Sequence, residues 1–134
     1  MGGGIPIIRP LYHCLMGERI EEITGILNGT TNYILTKMDK EGDTFENALR
    51  EAQNLGYAER NPEADVEGYD TCRKIAILTA MAAGKEVDYQ DIYTEGITKI
   101  TDVDFKYAEK MGVSIKLFGT SRIRDGKVSA MWLR

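Results

Sequence analysis

The sequence is poor in the side chains that build metal centres and disulfide frameworks. It has two cysteines, Cys14 and Cys72, and one histidine, His13. The cysteines lack the C-x-x-C spacing of a zinc site, and a single histidine adds little to them. The composition therefore argues against zinc chemistry, and we interpret His13 as a structural or exposed residue rather than a catalytic one.

The sequence also lacks long apolar and strongly basic segments. No apolar run approaches the roughly 20 residues that span a bilayer, and no basic stripe of the kind that binds nucleic acid is present. The first residues show no basic segment followed by an apolar one, so we expect no signal peptide and a cytoplasmic location. A length of 134 residues and a net charge of −4 are typical of one soluble globular domain.

Apolar spacing and turn residues predict a mixture of helices and strands. The predicted helices cover about 6–15, 28–42, 44–56, 69–83 and 101–111, and the predicted strands cover 19–27, 113–122 and 127–133. Residues 57–68 are predicted as a polar loop, and Arg124-Asp125-Gly126 as a hairpin turn. The expected fold class is α+β (mixed α/β), with helices packed on one face of a mixed β-sheet and a C-terminal β-hairpin.

Carboxylates and one lysine cluster around the junction between the polar loop and the helix predicted over 69–83. Asp70 and Lys74 are four residues apart and therefore share a helix face, and Glu59 lies in the loop. The apolar run 75–83 would give such a substrate site a rigid support. From the pattern alone, an exposed ion pair for Asp70 and Lys74 and a helix N-cap for Asp65 are the more common interpretations.

Two further features have open alternatives. Gly29-Thr30-Thr31 at a predicted helix start fits either an anion site built from free N–H groups or an ordinary cap. Lys116, in the strand predicted over 113–122, is expected at a sheet edge or pointing outward. The residues alone thus indicate a mixed α/β domain with a candidate acidic site, without specifying a reaction.

Several blocks of the sequence, in order along the chain, resemble the catalytic domain of homoserine dehydrogenase. They are Gly3-Gly4-Ile5-Pro6-Ile7-Ile8, Gly25-Ile26-Leu27-Asn28-Gly29-Thr30-Thr31-Asn32-Tyr33-Ile34-Leu35, Glu51-Ala52-Gln53-x-x-Gly56-Tyr57-Ala58-Glu59, Pro62-x-x-Asp65-Val66-x-Gly68-x-Asp70-x-x-x-Lys74, Glu95-Gly96-Ile97 and Ile115-Lys116-Leu117. The second and third blocks are specific, and their joint occurrence by accident is improbable.

The resemblance implies an oxidoreductase that interconverts L-homoserine and L-aspartate 4-semialdehyde with NADP or NAD in threonine and methionine biosynthesis. It also implies that residues 1–134 are part of the catalytic domain and that the nucleotide-binding domain lies elsewhere. The sequence contains no G-x-G-x-x-G, so we expect no cofactor-binding residues and no activity in the isolated chain. A homodimer is expected, because the last predicted strand ends in apolar residues and would offer an unpaired edge.

Site residues follow from the same resemblance, position by position. Lys74 matches the lysine taken as proton donor to the carbonyl oxygen, and Asp70 is the acidic residue assigned to catalysis beside it. The residues that match substrate-binding positions are Glu59, which is assigned to the substrate's amino group, Asp65, Tyr57, Gly29 and Thr30.

A sodium-type site in the family uses backbone carbonyl groups, and Gly3 and Ile5 are the residues that match it. Met1 stands where the family has valine, and the glutamate that precedes it there is absent from this sequence. A possible sodium ion therefore rests on these two backbone positions.

Two alternative functions remain at this stage. One is a non-catalytic module for small-molecule binding or dimerisation. The other is the substrate domain of a related semialdehyde dehydrogenase that forms an acyl-enzyme on cysteine. Cys14 and Cys72 lack the sequence context expected for such a nucleophile, so we rank this second alternative low.

Overall fold

The computed structural model describes residues 4–14, 17–123 and 127–133. Within these ranges the elements, in chain order, are α1 (Ile8–His13), β1 (Glu22–Gly25), α2 (Gly29–Glu41), α3 (Phe45–Asn54), α4 (Glu63–Val66), α5 (Tyr69–Ala83), a 3-10 turn (Tyr89–Asp91), β2 (Tyr93–Thr94), α6 (Asp102–Met111), β3 (Lys116–Arg122) and β4 (Lys127–Leu133). No helix in this described part of the chain has the length and apolar character needed to cross a membrane.

The described strands form one mixed sheet in the order β1-β3-β4-β2. β3 pairs antiparallel with both β1 and β4, whereas β2 pairs parallel with β4. Helix α5 packs across β1, β3 and β4. Leu117, Gly119 and Ser121 are buried and alternate with half-buried neighbours along β3, as expected for a strand with one face against a helix. The predicted α+β class, with its mixed sheet and C-terminal hairpin strands, is confirmed.

Two clusters of buried apolar side chains stabilise this arrangement. The larger one joins α2, α3 and α6 to the loops around them and to β3, and consists of Ile34, Leu35, Met38, Ala48, Ala52, Ala58, Val66, Ile97, Ile100, Phe105, Ala108, Ile115 and Leu117. The smaller one lies between α5 and the segment before β2, and contains Cys72, Ile75, Ala76 and Ile92. The larger cluster thus holds α2, α3 and α6 together, and the smaller one packs α5 against Ile92 and the partly buried Ile23 of β1.

Local capping chemistry sets the helix boundaries that the sequence predicted. Helix α5 covers the predicted residues and ends at Gly84, whose left-handed conformation (φ 63°) suits glycine. The side chain of Thr44 caps α3, which decides between the two predicted caps. Thr101 and Asp104 form the predicted capping box of α6. These boundaries were predictable because each depends on residues close together in the chain.

The loop predicted over 57–68 is wrong in one part, because it contains the short helix α4. The amides of Asp65 and Val66 both donate to the Pro62 carbonyl and close this turn. Asp65 is therefore a helical residue and not the N-cap predicted for the next helix. The residue before α5 is Gly68, which makes no side-chain cap bond, and the Asp65 carboxylate accepts a hydrogen bond from Asn28 instead.

Other differences arise from contacts between distant segments. The two-residue strand β2 was not predicted, because it forms only by pairing with β4. Strands β1 and β3 and helix α1 are shorter than predicted. Strand β3 lies inside the sheet, so Lys116 is not on an edge strand. Its ammonium donates to the Thr36 hydroxyl at 2.8 Å, and burial lowers the pKa of Lys116. The predicted turn at 124–126 lies outside the described residues.

The α4–α5 junction is fixed by a close crossing with residues 95–97. The Ile97 amide donates to the Val66 carbonyl at 2.7 Å. A Cβ atom on Gly96 would lie 2.3 Å from that same oxygen and 2.5 Å from the Cα atom of Glu67. Only glycine permits this approach, which accounts for the Glu95-Gly96-Ile97 block in structural terms.

Gly96→Ala is expected to lower the free energy of unfolding by about 1–3 kcal/mol, the usual cost of overpacking, because the methyl group meets backbone atoms that cannot rotate away. Urea unfolding monitored by circular dichroism measures the change. Gly17→Ala is the matched control, since a Cβ there meets nothing within 4 Å. Equal stability of the two variants would contradict this account of the crossing.

Candidate active site

A cleft of about 980 Å³ opens where the end of β1, the start of α2 and the α4–α5 junction meet. Its lining residues are Ile5, Ile7, Ile23, Thr24, Gly25, Ile26, Leu27, Asn28, Gly29, Thr30, Asn32, Tyr33, Tyr57, Asp65, Asp70, Lys74 and Leu78. Six of the residues predicted from the sequence as catalytic or substrate-binding therefore share one cleft: Lys74, Asp70, Asp65, Tyr57, Gly29 and Thr30.

Asn28 lies at the centre of the polar contacts of this cleft and is only 5% exposed. Its side-chain nitrogen donates to Asp65 Oδ1 at 2.7 Å and to Asp70 Oδ2 at 2.8 Å. Its side-chain oxygen accepts from the Thr31 amide at 2.8 Å, which caps α2. One amide thus connects the first turn of α2 to carboxylates on two other helices.

Lys74 is held from two sides. Its ammonium lies 2.7 Å from Asp70 Oδ2 and donates to the Leu27 carbonyl at 3.0 Å. The side chains of Lys74 and Asp70 are 23% and 30% exposed, so the pair is more enclosed than an ordinary surface pair. An ammonium has three donors, and these two contacts leave one for a molecule in the cleft. Lys74 therefore faces the β1–α2 junction.

Tyr57 and Tyr33 form an aromatic side of the cleft. The Thr30 hydroxyl donates to the Tyr57 carbonyl at 2.7 Å, which ties the loop after α3 to α2. The two rings meet edge to face with centroids 5.3 Å apart. The Tyr33 hydroxyl donates to Glu51 Oε1 at 2.9 Å, so the rings are supported from helix α3.

A charge network behind Tyr33 shifts the titration of its members. The Lys37 ammonium lies 2.9 Å from Glu51 and 2.6 Å from Glu41. Its hydrogen bond, followed by that from Tyr33, lowers the pKa of Glu51. Desolvation, followed by the hydrogen bond to Glu51, raises the pKa of Tyr33. The carboxylates raise the pKa of Lys37, so this network keeps Glu51 charged and Tyr33 neutral at pH 7.

The other residues singled out from the sequence lie in different places. Glu59 is exposed, and its backbone carbonyl accepts from Gln53 at 3.0 Å; its side chain is not among the described residues that line the cleft. Ile5 lies on the cleft and is 70% exposed, while Gly3 lies outside the described residues. His13 is exposed, as interpreted from the sequence.

The described residues were also compared with the requirements of a metal site. No group of three or more His, Cys, Asp or Glu side chains that could hold a metal ion occurs within 4–14, 17–123 and 127–133. A second cleft of about 750 Å³, near the end of α5, is lined by Lys85, Asp88, Arg122 and neighbouring residues. It contains none of the predicted site residues.

Asn28 and Tyr33 line the cleft, but the sequence analysis assigned neither of them a catalytic or substrate-binding role. Asn28 stands at the start of the helix predicted over 28–42, but its contacts with Asp65 and Asp70 join positions 37 and 42 residues apart. The only sequence signal was an amide at the predicted helix start, which offers a donor as well as the capping acceptor.

The fold is that of an α+β domain, and its cleft brings together two carboxylates, an amide and a lysine. Residues 6–133 match the sequence model described as homoserine dehydrogenase. The chain therefore belongs to the homoserine dehydrogenase family.

Similar proteins carry the same name. The chain is 52% identical over 126 residues to homoserine dehydrogenase of Synechocystis sp., covering 94% of this chain and 28% of that protein. It is 48% identical to the Bacillus subtilis enzyme over 94% of this chain and 29% of that protein. The chain thus spans less than a third of the length of these curated relatives.

Solved structures share the fold. A homoserine dehydrogenase from Thiobacillus denitrificans matches with a TM-score of 0.91 at 43% identity. The match includes 98% of this chain and 31% of that structure. A putative homoserine dehydrogenase from Archaeoglobus fulgidus has a TM-score of 0.92 at 37% identity, with 98% of this chain and 40% of that structure covered.

Glu51→Gln is expected to lower the melting temperature most between pH 5 and 7. A carboxylate with a lowered folded pKa contributes stability above its unfolded pKa of about 4.3, and this contribution is lost as the pH falls through the lower folded pKa. The difference from the unsubstituted protein should therefore shrink in acid. Glu109→Gln, at an exposed position on α6, is the control. A pH-independent difference for Glu51→Gln would indicate lost packing instead.

Proposed function

We propose that this chain is the substrate-binding and catalytic domain, in part, of an oxidoreductase that interconverts L-homoserine and L-aspartate 4-semialdehyde with NADP or NAD. The observation that carries the proposal is the enclosed Asp70–Lys74 pair in a cleft lined by most of the predicted substrate residues. Family membership supports the same reaction class.

The nucleotide is assigned to a domain outside residues 1–134. The sequence has no G-x-G-x-x-G, and the described sheet is mixed rather than doubly wound, so these residues do not fit a dinucleotide's pyrophosphate. The relatives extend well beyond the matched region, and one structural neighbour, a hyperthermophilic archaeal homoserine dehydrogenase, was solved in complex with NADPH. The isolated chain is accordingly inactive in this proposal.

Lys74 acts on the oxygen of the reacting carbonyl. When bound, the nicotinamide supplies the hydride that reduces the carbonyl carbon. Negative charge then grows on the oxygen, where the remaining donor of the Lys74 ammonium stabilises it and transfers a proton. Asp70 and the Leu27 carbonyl hold that ammonium in place. In the reverse direction Lys74 accepts the hydroxyl proton.

The carboxylates and the start of α2 bind the unreactive end of the substrate. The α-ammonium group suits Glu59 and Asp65 by charge-assisted hydrogen bonding. The α-carboxylate suits the first amides of α2 at Gly29 and Thr30, where a helix N-terminus favours an anion. Tyr57 lies beside this position and limits the length of the substrate.

The assembled enzyme is proposed to be a cytoplasmic homodimer that works in threonine and methionine biosynthesis. Among the described strands, β1 pairs on one side only and β2 covers only Ser129 and Ala130 of β4, so the sheet offers partly unpaired edges for association. A sodium ion at Gly3 and Ile5 stays a prediction from the resemblance, and no step above uses it.

Lys74→Ala in the full-length enzyme carrying this chain is expected to lower kcat by about 10²–10⁴-fold, the range for a lost acid–base group. Lys74→Arg should rescue poorly, because a guanidinium does not readily release a proton. Steady-state oxidation of homoserine, followed by nicotinamide absorbance, measures both variants.

The matched control is Lys106→Ala, which breaks the exposed Asp102–Lys106 pair with the same i,i+4 spacing. It should leave kcat unchanged and shift the melting temperature only slightly. A near-normal kcat for Lys74→Ala would remove the proposed mechanism.

Glu59→Ala is expected mainly to raise KM for homoserine, with kcat changed much less. The amino group that it is assigned to does not react, so its contact is made equally in ground and transition states. Titration of the substrate in the same assay gives both constants. An unchanged KM would remove Glu59 from the substrate site and leave it as an exposed loop residue.

A further inference from the structure

A buried amide lies between the two carboxylates of the cleft, at a position that the proposed mechanism does not use. Asn28 donates both hydrogens of its side-chain nitrogen, one to Asp65 and one to Asp70. With both donors occupied, Asn28 has no side-chain donor left for a substrate.

The orientation of this amide is fixed by the start of α2. The side-chain oxygen accepts from the Thr31 amide at 2.8 Å and from the Thr31 hydroxyl at 2.9 Å. Rotating the amide by half a turn would place its nitrogen against the Thr31 N–H and its oxygen against two carboxylates. The contacts with the Thr31 N–H and with both carboxylates would then be repulsive, so the helix cap dictates which way the donors point.

Asn28 and Lys74 both contact the same oxygen atom of Asp70. Asp70 Oδ2 accepts from Asn28 and also lies 2.7 Å from the Lys74 ammonium. Asn28 therefore sets the rotamer of Asp70, and Asp70 sets the position of the ammonium. We propose that Asn28 is a positioning residue for the reaction, which couples the N-cap of α2 to the placement of Lys74. This inference rests on the function proposed above.

The role has a kinetic signature. The charged groups that face Asn28 are Asp65 from α4 and Asp70 with Lys74 from α5. A misplaced ammonium stabilises less of the charge that grows on the substrate oxygen in the transition state. Loss of the amide should therefore lower kcat more than it raises KM.

Two substitutions separate positioning from capping. Asn28→Ser keeps a good N-cap acceptor for α2 but loses the donor to both carboxylates. Asn28→Asp also keeps the cap and adds a third carboxylate beside the other two. Thr44→Ala is the control, because it removes the cap of α3 at a position outside the cleft.

In the full-length enzyme, kcat and KM for homoserine are measured together with melting temperatures. Asn28→Ser should lower kcat by about 10²-fold, the scale of a displaced catalytic group, with a smaller change in KM, and Asn28→Asp should lower kcat further. Thr44→Ala should lower the melting temperature with no change in kcat or KM.

Three results would overturn the inference. An unchanged kcat for Asn28→Ser would exclude positioning, while the proposed function would stand. A lower melting temperature alone, as for Thr44→Ala, would make Asn28 a cap only. If Asn28→Ser fails to fold, Asn28→Asp decides by the same two readouts. No nicotinamide-linked oxidation of homoserine by the unsubstituted enzyme would overturn the proposed function, and the inference with it.

Discussion

The hydrogen bonds of Asn28 connect the three segments on which the candidate active site depends. Asn28 precedes α2, Asp65 lies in α4 and Asp70 lies in the first turn of α5. Two carboxylates this close would repel each other without a donor between them. The buried amide satisfies one oxygen of each, and it leaves the others available to the cleft. The arrangement is electrostatically balanced only while the α2 N-terminus and the α4–α5 junction stay in register.

Backbone contacts keep that register. The Leu27 carbonyl accepts from Lys74 at one end, and the Val66 carbonyl accepts from Ile97 at the other. Gly119 on β3 faces Leu27, Ile75 and Thr71, and a Cβ there would lie 2.7 Å from Leu27 Cδ1. Strand β3 thus lies close under both α5 and the segment that leads into α2. The sheet acts as the support for a site whose two carboxylates, amide and lysine come from helices and their ends.

The parts of this structure that could be predicted from sequence depend on neighbours in the chain. The bounds of α5, the cap at Thr44 and the Thr101–Asp104 capping box follow from residues three or four positions apart. Helix α4 was missed because four residues carry no periodicity. Strand β2 was missed because its two residues pair only with the distant β4.

The same division holds for the candidate site. The i,i+4 spacing placed Asp70 and Lys74 on one helix face, and the structure shows them in contact. Their burial, the Leu27 carbonyl as a partner and the bridge from Asn28 could not be read from spacing, because they depend on how α5 packs against β1 and α2. Residue roles came from the family resemblance, whereas the structure shows what holds those residues in place.

The most direct test of the account is a crystal structure of the full-length enzyme carrying this chain, with L-homoserine and an oxidised nicotinamide cofactor bound. The account predicts the homoserine hydroxyl oxygen within about 3.2 Å of Lys74 Nζ, the reach of a proton-transferring hydrogen bond. It also predicts that Asn28 still bridges Asp65 and Asp70. Homoserine bound outside this cleft, or with its hydroxyl group turned away from Lys74, would contradict the account.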